Sequence, residues 1–315
     1  HMGKADTHLH TYYSGFTNLN IMKFPESVSS PEQRVDHARK LGYDVIAITE
    51  HSHIRGGIEG RAYAKRFDDI DVIVGDEVMT ADGEIIGLGL TEYIEPMLSV
   101  EETVDIIKEQ GGYTIAPHPF SFHVCGLKEK IFDIDLDAFE VINGGHPDAY
   151  SNMFAQRVMD EFPGRWAAIS ASDAHANCTM GYNWTEFEGS TEEDFYKAIR
   201  NKTTVPKGVP APVMSQLDWN LEVVWGGIKL SYQALRHRLQ PMEENRLYEK
   251  LLINSDLKNL AAILGGFMYG CFPIPLIATA ASCAYLRRNQ KNMILDADDR
   301  LEEIRQIIAA KDETI

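Results

Sequence analysis

Cysteine is scarce and scattered. The four present, Cys125, Cys178, Cys271 and Cys283, form no CxxC pair. That spacing argues against a disulfide framework or a thiolate zinc site and fits a reducing, cytoplasmic setting. Positive charge is also in short supply: 30 Lys and Arg stand against 47 Asp and Glu, a formal charge of −17 over 315 residues. No stripe of Arg and Lys interleaved with aromatics breaks this field, so double-stranded nucleic acid is a poor partner. Nothing reads as a polybasic lipid-binding run. A small phosphorylated molecule is not excluded, because bound cations would reverse the field locally. No signal peptide is legible at the start, and His1-Met2 reads as the remnant of a cloning tag.

What is present is an alternation of apolar runs and capped helices. Lys4 to Thr11 reads as a strand running into a loop. Ser30-Pro31-Glu32-Gln33 reads as a helix start, with Ser30 as N-cap, Pro31 at the first helical position and Gly42 as the stop. Asp44-Val45-Ile46-Ala47-Ile48-Thr49 is too continuously apolar for a half-exposed strand and predicts one covered on both faces. Strands are expected again at 70–74, 113–116, 138–142 and 167–170, with a helix from Ser99 to Gln110. This pattern predicts a closed or nearly closed α/β barrel, or else an open doubly wound sheet.

Polar residues follow the C-terminal ends of these strands: His8 and His10, Glu50 to His53, Asp76-Glu77, His118, Asn143 to His146, and Asp173 to His175. In an α/β barrel those ends converge on one mouth. His8 and His10 share a strand face and could grip one ion. Asp173 and His175 repeat the geometry, and the two pairs together offer four N/O ligands suited to Zn, Mn or Fe. Glu77 is the candidate bridge, since one carboxylate can serve two ions. Flanking prolines set the backbone direction of His118, and a glycine loop could bring His146 inward.

Together these residues resemble the polymerase-and-histidinol-phosphatase (PHP) family of metal-dependent phosphoesterases. The resemblance is carried by Asp6-Thr7-His8-Leu9-His10-Thr11, Ile48-Thr49-Glu50-His51, Glu77, Ala116-Pro117-His118-Pro119, Glu140 to Asn143 with His146, and Ala171 to His175. It covers about residues 4–209 and implies a distorted (β/α)7 barrel with two or three divalent ions. His8, His10, Glu77 and Asp173 would hold one ion; Glu77, His118 and His146 a second; His51 and His175 would contribute to a third. Two departures stand out. Ser14-Gly15-Phe16 occupies the stretch where many relatives carry a further ligand, so the third ion is expected to be weakly held, completed by water or by a neighbour such as Glu50 or His53, or missing. Thr49-Glu50-His51 replaces the family's usual Thr-Asp-His.

The reaction expected from this set is attack of a metal-bridging hydroxide on a phosphate ester. His51 and His175 would bind the third ion or act on the leaving oxygen, and Arg55 would clamp a phosphate oxygen. Arg61, Lys128 and His123 are weaker candidates near substrate, whereas His37 and His237 read as surface groups. Two other classes compete: a C–N metallohydrolase, which would cleave dihydropyrimidine-like substrates, and a non-catalytic metal-binding interaction protein.

After residue 212 the character changes, and a barrel at 4–212 is expected to give way to a helical appendage at 213–315. Helices are expected over 214–258, broken near Pro241, and over 293–311. Residues 259–286 carry no charge. They read first as a buried hairpin or self-association surface of a homo-oligomer and second as a membrane attachment, since Gly and Pro divide the run.

Overall fold

The computed structural model describes residues 1–19 and 22–312. The chain opens with β1 (Met2–Leu9), a hairpin of β2 (Phe16–Leu19) and β3 (Met22–Pro25), α1 (Pro31–Lys40), β4 (Val45–His51) and α2 (Arg55–Ala64). It continues with β5 (Asp71–Met79), β6 (Glu84–Leu88), α3 (Val100–Glu109), β7 (Tyr113–Ala116), β8 (Ala138–Asn143), α4 (Ser151–Glu161) and β9 (Ala167–Ala171). Then come β10 (Asn183–Glu188), α5 (Glu192–Asn201) and β11 (Val205–Gly208). Five helices follow: α6 (Val213–Leu235), α7 (Arg246–Ile253), α8 (Asp256–Gly270), α9 (Ile274–Leu295) and α10 (Ala297–Asp312).

Local chemistry sets the helix starts. Ser30 accepts from the Gln33 amide while the Gln33 side chain accepts from the Ser30 amide, a capping box with Pro31 at the first helical position. Ser99 with Glu102, and Thr191 with Asp194, repeat the device at α3 and α5. β4 is buried on both faces from Val45 to Ile48, as its unbroken apolar run predicts.

The sheet has nine strands in the order β11-β10-β1-β4-β5-β6-β7-β8-β9. β1, β4, β5, β7, β8, β9 and β11 run one way, while β6 and β10 run the other way. The two ends of the sheet approach each other. The His10 amide donates to the Ala174 carbonyl at 3.0 Å, and Thr185 Oγ1 donates to the Ser170 carbonyl at 2.9 Å. The result is a near-closed mixed α/β barrel with a C-terminal helical extension. The antiparallel strands were not legible, because none has a long apolar run of its own.

The extension is built into the molecule. Ala297, Leu301, Ile304 and Ile308 of α10 join the same apolar cluster as Phe120, Phe139 and Phe154 of the barrel. Val223 and Val224 of α6 pack with Phe24 of β3. The expected break at Pro241 lies between α6 and α7. The buried hairpin expected at 259–286 is not found: α9 buries only Pro275, and α8 buries only Asn259, Ile263 and Gly266. Glycine and proline bend the run but give it no apolar surface to pack against.

Phe154 is fully buried and meets Phe120 edge-on at 5.1 Å. Phe154→Ala should lower unfolding free energy by about 3–5 kcal/mol in urea denaturation. A loss under about 1 kcal/mol would show that α4 is not packed as described.

Candidate metal centre

The strand ends deliver their polar residues to one mouth. β1 brings His8 and His10, both fully buried, and the parallel register of β4 and β5 sets His51 directly beside Glu77. His118 follows β7 and Asp173 follows β9, each with positive φ, 29° and 53° respectively. For non-glycine residues this is a costly backbone state, found where surrounding structure holds a functional side chain in place.

Glu77 is the hub. Its Oε1 lies 3.2 Å from His8 Nε2 and 3.2 Å from His118 Nε2, and its Oε2 lies 3.4 Å from His10 Nε2 and 3.0 Å from His51 Nδ1. Asp173 Oδ1 stands 3.4 Å from the Nε2 atoms of both His8 and His10. Burial pushes the Glu77 carboxyl up, but His8 and His51 more than offset it and hold the group well below the usual range. Burial likewise opposes charge on His8, yet Asp173, Glu77 and Glu140 raise it well above an ordinary imidazole. His10 goes the other way, down to about 3, through burial and the nearby His175 and His51.

A surrounding layer fixes each ring. Glu140 Oε1 lies 2.8 Å from His8 Nδ1, and Glu140 Oε2 accepts from the His118 amide at 2.8 Å and from Asn143 Nδ2 at 2.7 Å. Asn143 Nδ2 also donates to Asp173 Oδ2 at 3.1 Å. His10 Nδ1 lies 2.9 Å from Ser14 Oγ, which itself donates to Glu50. This chain leaves His10 Nδ1 as the donor and turns Nε2 toward Glu77 as a lone pair. Ser14, where a further ligand was looked for, therefore orients His10. Glu50 also accepts from Thr11 and faces away from the cluster. Gly56 leaves room for it, since a Cβ there would land on Glu50 Oε1. Arg34, fully buried, donates twice to the His10 carbonyl, at 3.1 and 2.9 Å.

Two residues were missed in the sequence. Glu26, just after β3, places Oε1 3.2 Å from His51 Nε2 and 3.3 Å from His175 Nε2, completing the third group that Glu50 and His53 were expected to complete. Burial would raise its carboxyl, but His51 and His175 lower it far more. Glu84 on β6 places Oε2 3.6 Å from His118 Nε2, and burial beside Glu77 pushes its carboxyl up to about 7. Neither follows a parallel strand, so the rule that found the others could not find them.

Other candidates land elsewhere. His146 stacks on His118 at 5.2 Å, but its Nδ1 is engaged by Asn143 at 2.9 Å and its Nε2 by Ser121 at 2.8 Å, outside the groups that converge. Arg55, the expected phosphate clamp, starts α2 and pairs one turn on with Glu59 at 3.0 Å and with Glu243 at 3.4 Å, away from the cavity. His53 turns to Glu244, Arg61 pairs with Glu192, and Lys128 is exposed. His123 lies on the wall of the cavity, a space of about 710 Å³ that also touches Glu26, His51, Glu77, Glu84, His118 and Asp173.

The donor set fits metal ions. His8 Nε2, His10 Nε2, Glu77 Oε2 and His175 Nε2 are buried without a hydrogen-bond partner among the described residues, each a penalty of about 1–3 kcal/mol that a bound cation would remove. Four overlapping groups have ligand atoms within 4.8 Å of one another: His8, His118 and Asp173; His8, His10 and Glu77; His10, His51 and His175; His51, Glu77 and Glu84. These clusters of N and O ligands are capable of coordinating metal ions, consistent with a multi-metal site.

A sequence profile described as PHP-associated matches residues 149–204. Over 161 residues the chain is 48% identical to the uncharacterized protein MJ1587 of Methanocaldococcus jannaschii, spanning 51% of this chain and 94% of that protein. The uncharacterized protein MJ1588 of the same organism is 30% identical over 114 residues, 36% of this chain and 94% of its own length. Among solved structures, PsfC from Pseudomonas syringae PB-5123 superposes with a TM-score of 0.53 at 17% identity, over 70% of this chain and 98% of that one, a likeness of fold. Barrel and metal cluster define a metal-dependent hydrolase. The chain belongs to the PHP family of metal-dependent, phosphoesterase-like proteins.

Glu26→Gln should lower the number of Zn or Mn ions bound per chain by about one, measured by elemental analysis after loading and desalting, because His51 and His175 lose their shared carboxylate. An unchanged ion count would remove Glu26 from the centre.

Proposed function

We propose that the chain is a metal-dependent phosphoesterase acting on a small phosphorylated metabolite or nucleotide. The observation that carries this reading is Glu77, whose two oxygens each face a separate pair of imidazoles, an arrangement suited to neighbouring cations sharing one carboxylate. On this reading β1 and β4–β9 are the strands of a distorted (β/α)7 barrel, and β10 and β11 an added antiparallel edge.

His8, His10, Asp173 and Glu77 would hold one ion. His118 with Glu84 and Glu77 would hold a second, and His51, His175 and Glu26 a third. Zn, Mn or Fe would supply an activated water at neutral pH and neutralise phosphoryl oxygens. The protein's own part is to keep the ligands in place and to manage protons. Glu140 and Ser14 keep His8 and His10 in the tautomers that aim Nε2 inward. Asp173 is held ionised by the imidazoles around it, against the effect of burial.

Proton delivery falls to His123. Its Nε2 lies 3.1 Å from Asp148 Oδ2, its ring stacks on His146 at 4.5 Å, and it stands on the cavity wall outside the ligand groups. The Asp148 carboxylate behind the ring orients it at the cavity wall, where an imidazole can pass a proton to a leaving oxygen.

Phosphate release from a panel of esters should require Mn, Zn or Fe and vanish with chelator, and Glu77→Gln should cut kcat by roughly 10²–10³-fold. Cleavage of dihydropyrimidine-like substrates with no phosphate release from any ester would reverse the reading. His123→Ala should lower kcat about 10²-fold for esters with poor leaving groups, with little change in bound metal. Equal rates for good and poor leaving groups in that variant would assign the proton elsewhere.

A further inference from the structure

The metal centre makes no use of the bent pair α8–α9. The pair, residues 256–295, contains Lys258, Arg287, Arg288 and Lys291 against Asp256 alone, a local excess of positive charge in a chain of net −17. Arg287 and Arg288 directly follow the uncharged run, where they read as the flank of a membrane segment. Between Lys258 and Arg287 the chain carries no charge, and its large apolar side chains face outward. At and around the bend, Phe272 is 84% exposed, Met268 72% and Ile277 60%.

No single helix here is long and apolar enough to cross a membrane, but α8 and α9 meet at 69° across a short break. The uncharged part of α9, residues 274–286, is about 20 Å long at 1.5 Å per residue, too short for a hydrocarbon core of about 30 Å. Both basic flanks lie away from the bend, Lys258 at the start of α8 and the other three beyond the apolar half of α9. An apolar tip with cationic bases suits entry into one leaflet and return to the same side.

A groove of about 580 Å³ between α6 and α9 joins the two chemistries: Leu217, Leu276 and Ala280 line it together with Arg287, Arg288 and Lys291. An apolar floor with three cations matches one acyl chain and its phosphate headgroup. Trp225, half exposed on α6, meets Phe267 edge-on at 5.4 Å, an aromatic placement favoured at the boundary between headgroups and acyl chains.

We propose that the α8–α9 pair docks on an anionic phospholipid bilayer, its bend entering one leaflet and Arg287, Arg288 and Lys291 meeting the headgroup phosphates. The surface acts independently of what the metal centre hydrolyses.

Flotation of the full chain with vesicles of phosphatidylcholine alone, or mixed equally with phosphatidylglycerol, tests this. The protein should float with the mixed vesicles, and added salt should weaken that binding. The pair of changes Arg287→Glu and Arg288→Glu should weaken it by roughly ten-fold or more, and Phe272→Asp with Ile277→Asp should abolish it. Unchanged thermal melting and metal content would verify that the variants, all at exposed positions, remain folded. Absence of flotation with either vesicle would overturn the proposal, as would binding that survives both sets of changes. So would light scattering that shows a dimer dissolved by the Phe272 and Ile277 changes in a protein that ignores vesicles.

Discussion

The structure turns on a buried carboxylate that cannot be left alone. Glu77 is almost fully removed from water, and four imidazole nitrogens lie within 3.4 Å of its two oxygens. Several of the surrounding polar atoms have no hydrogen bond of their own among the described residues. A cluster of this kind is costly in a low-dielectric interior unless cations occupy it. The barrel mouth is therefore a place where folding leaves ligand demand unmet, and that demand makes it a metal centre.

Rigidity around the cluster comes from groups that touch no substrate. Glu140 holds His8, the amide of His118 and Asn143, so three strand ends share one carboxylate. Ser14 and Glu50 orient His10 from one side, and Arg34 holds its carbonyl from another. Such layers set tautomer and ring direction, on which metal affinity depends. The positive φ of His118 and Asp173 belongs to the same design, as strain tolerated where side chains must converge.

The C-terminal helices also take part in the centre. Trp219 of α6 donates from Nε1 to the Glu26 carbonyl at 2.9 Å, and its ring lies 5.6 Å from His175. The third ligand group thus rests partly on a helix far along the chain. α10 fills the barrel's apolar layer, whereas α8 and α9 contribute little to any core and keep their apolar surface outside. The extension divides into a part that supports the barrel and a part that faces outward.

Much of this was legible from residue order. The His8/His10 pair, Glu77, His118 and Asp173/His175 follow apolar strands whose parallel packing brings C-terminal ends together, so chain pattern was enough to gather them. Helix starts at Ser30 and Ser99 were equally readable, because capping is a local hydrogen-bond problem. Glu26 and Glu84 were not readable: one follows a hairpin and the other lies on an antiparallel strand, and only closure of the barrel brings them to the mouth. Tertiary packing also drew Arg55 to Glu59 and Glu243, gave both nitrogens of His146 to Asn143 and Ser121, and left most of residues 259–286 unburied. Periodicity determines which residues share a strand end or a helix turn. Where a long side chain finds its partner depends on elements distant in sequence, and only the folded chain decides that.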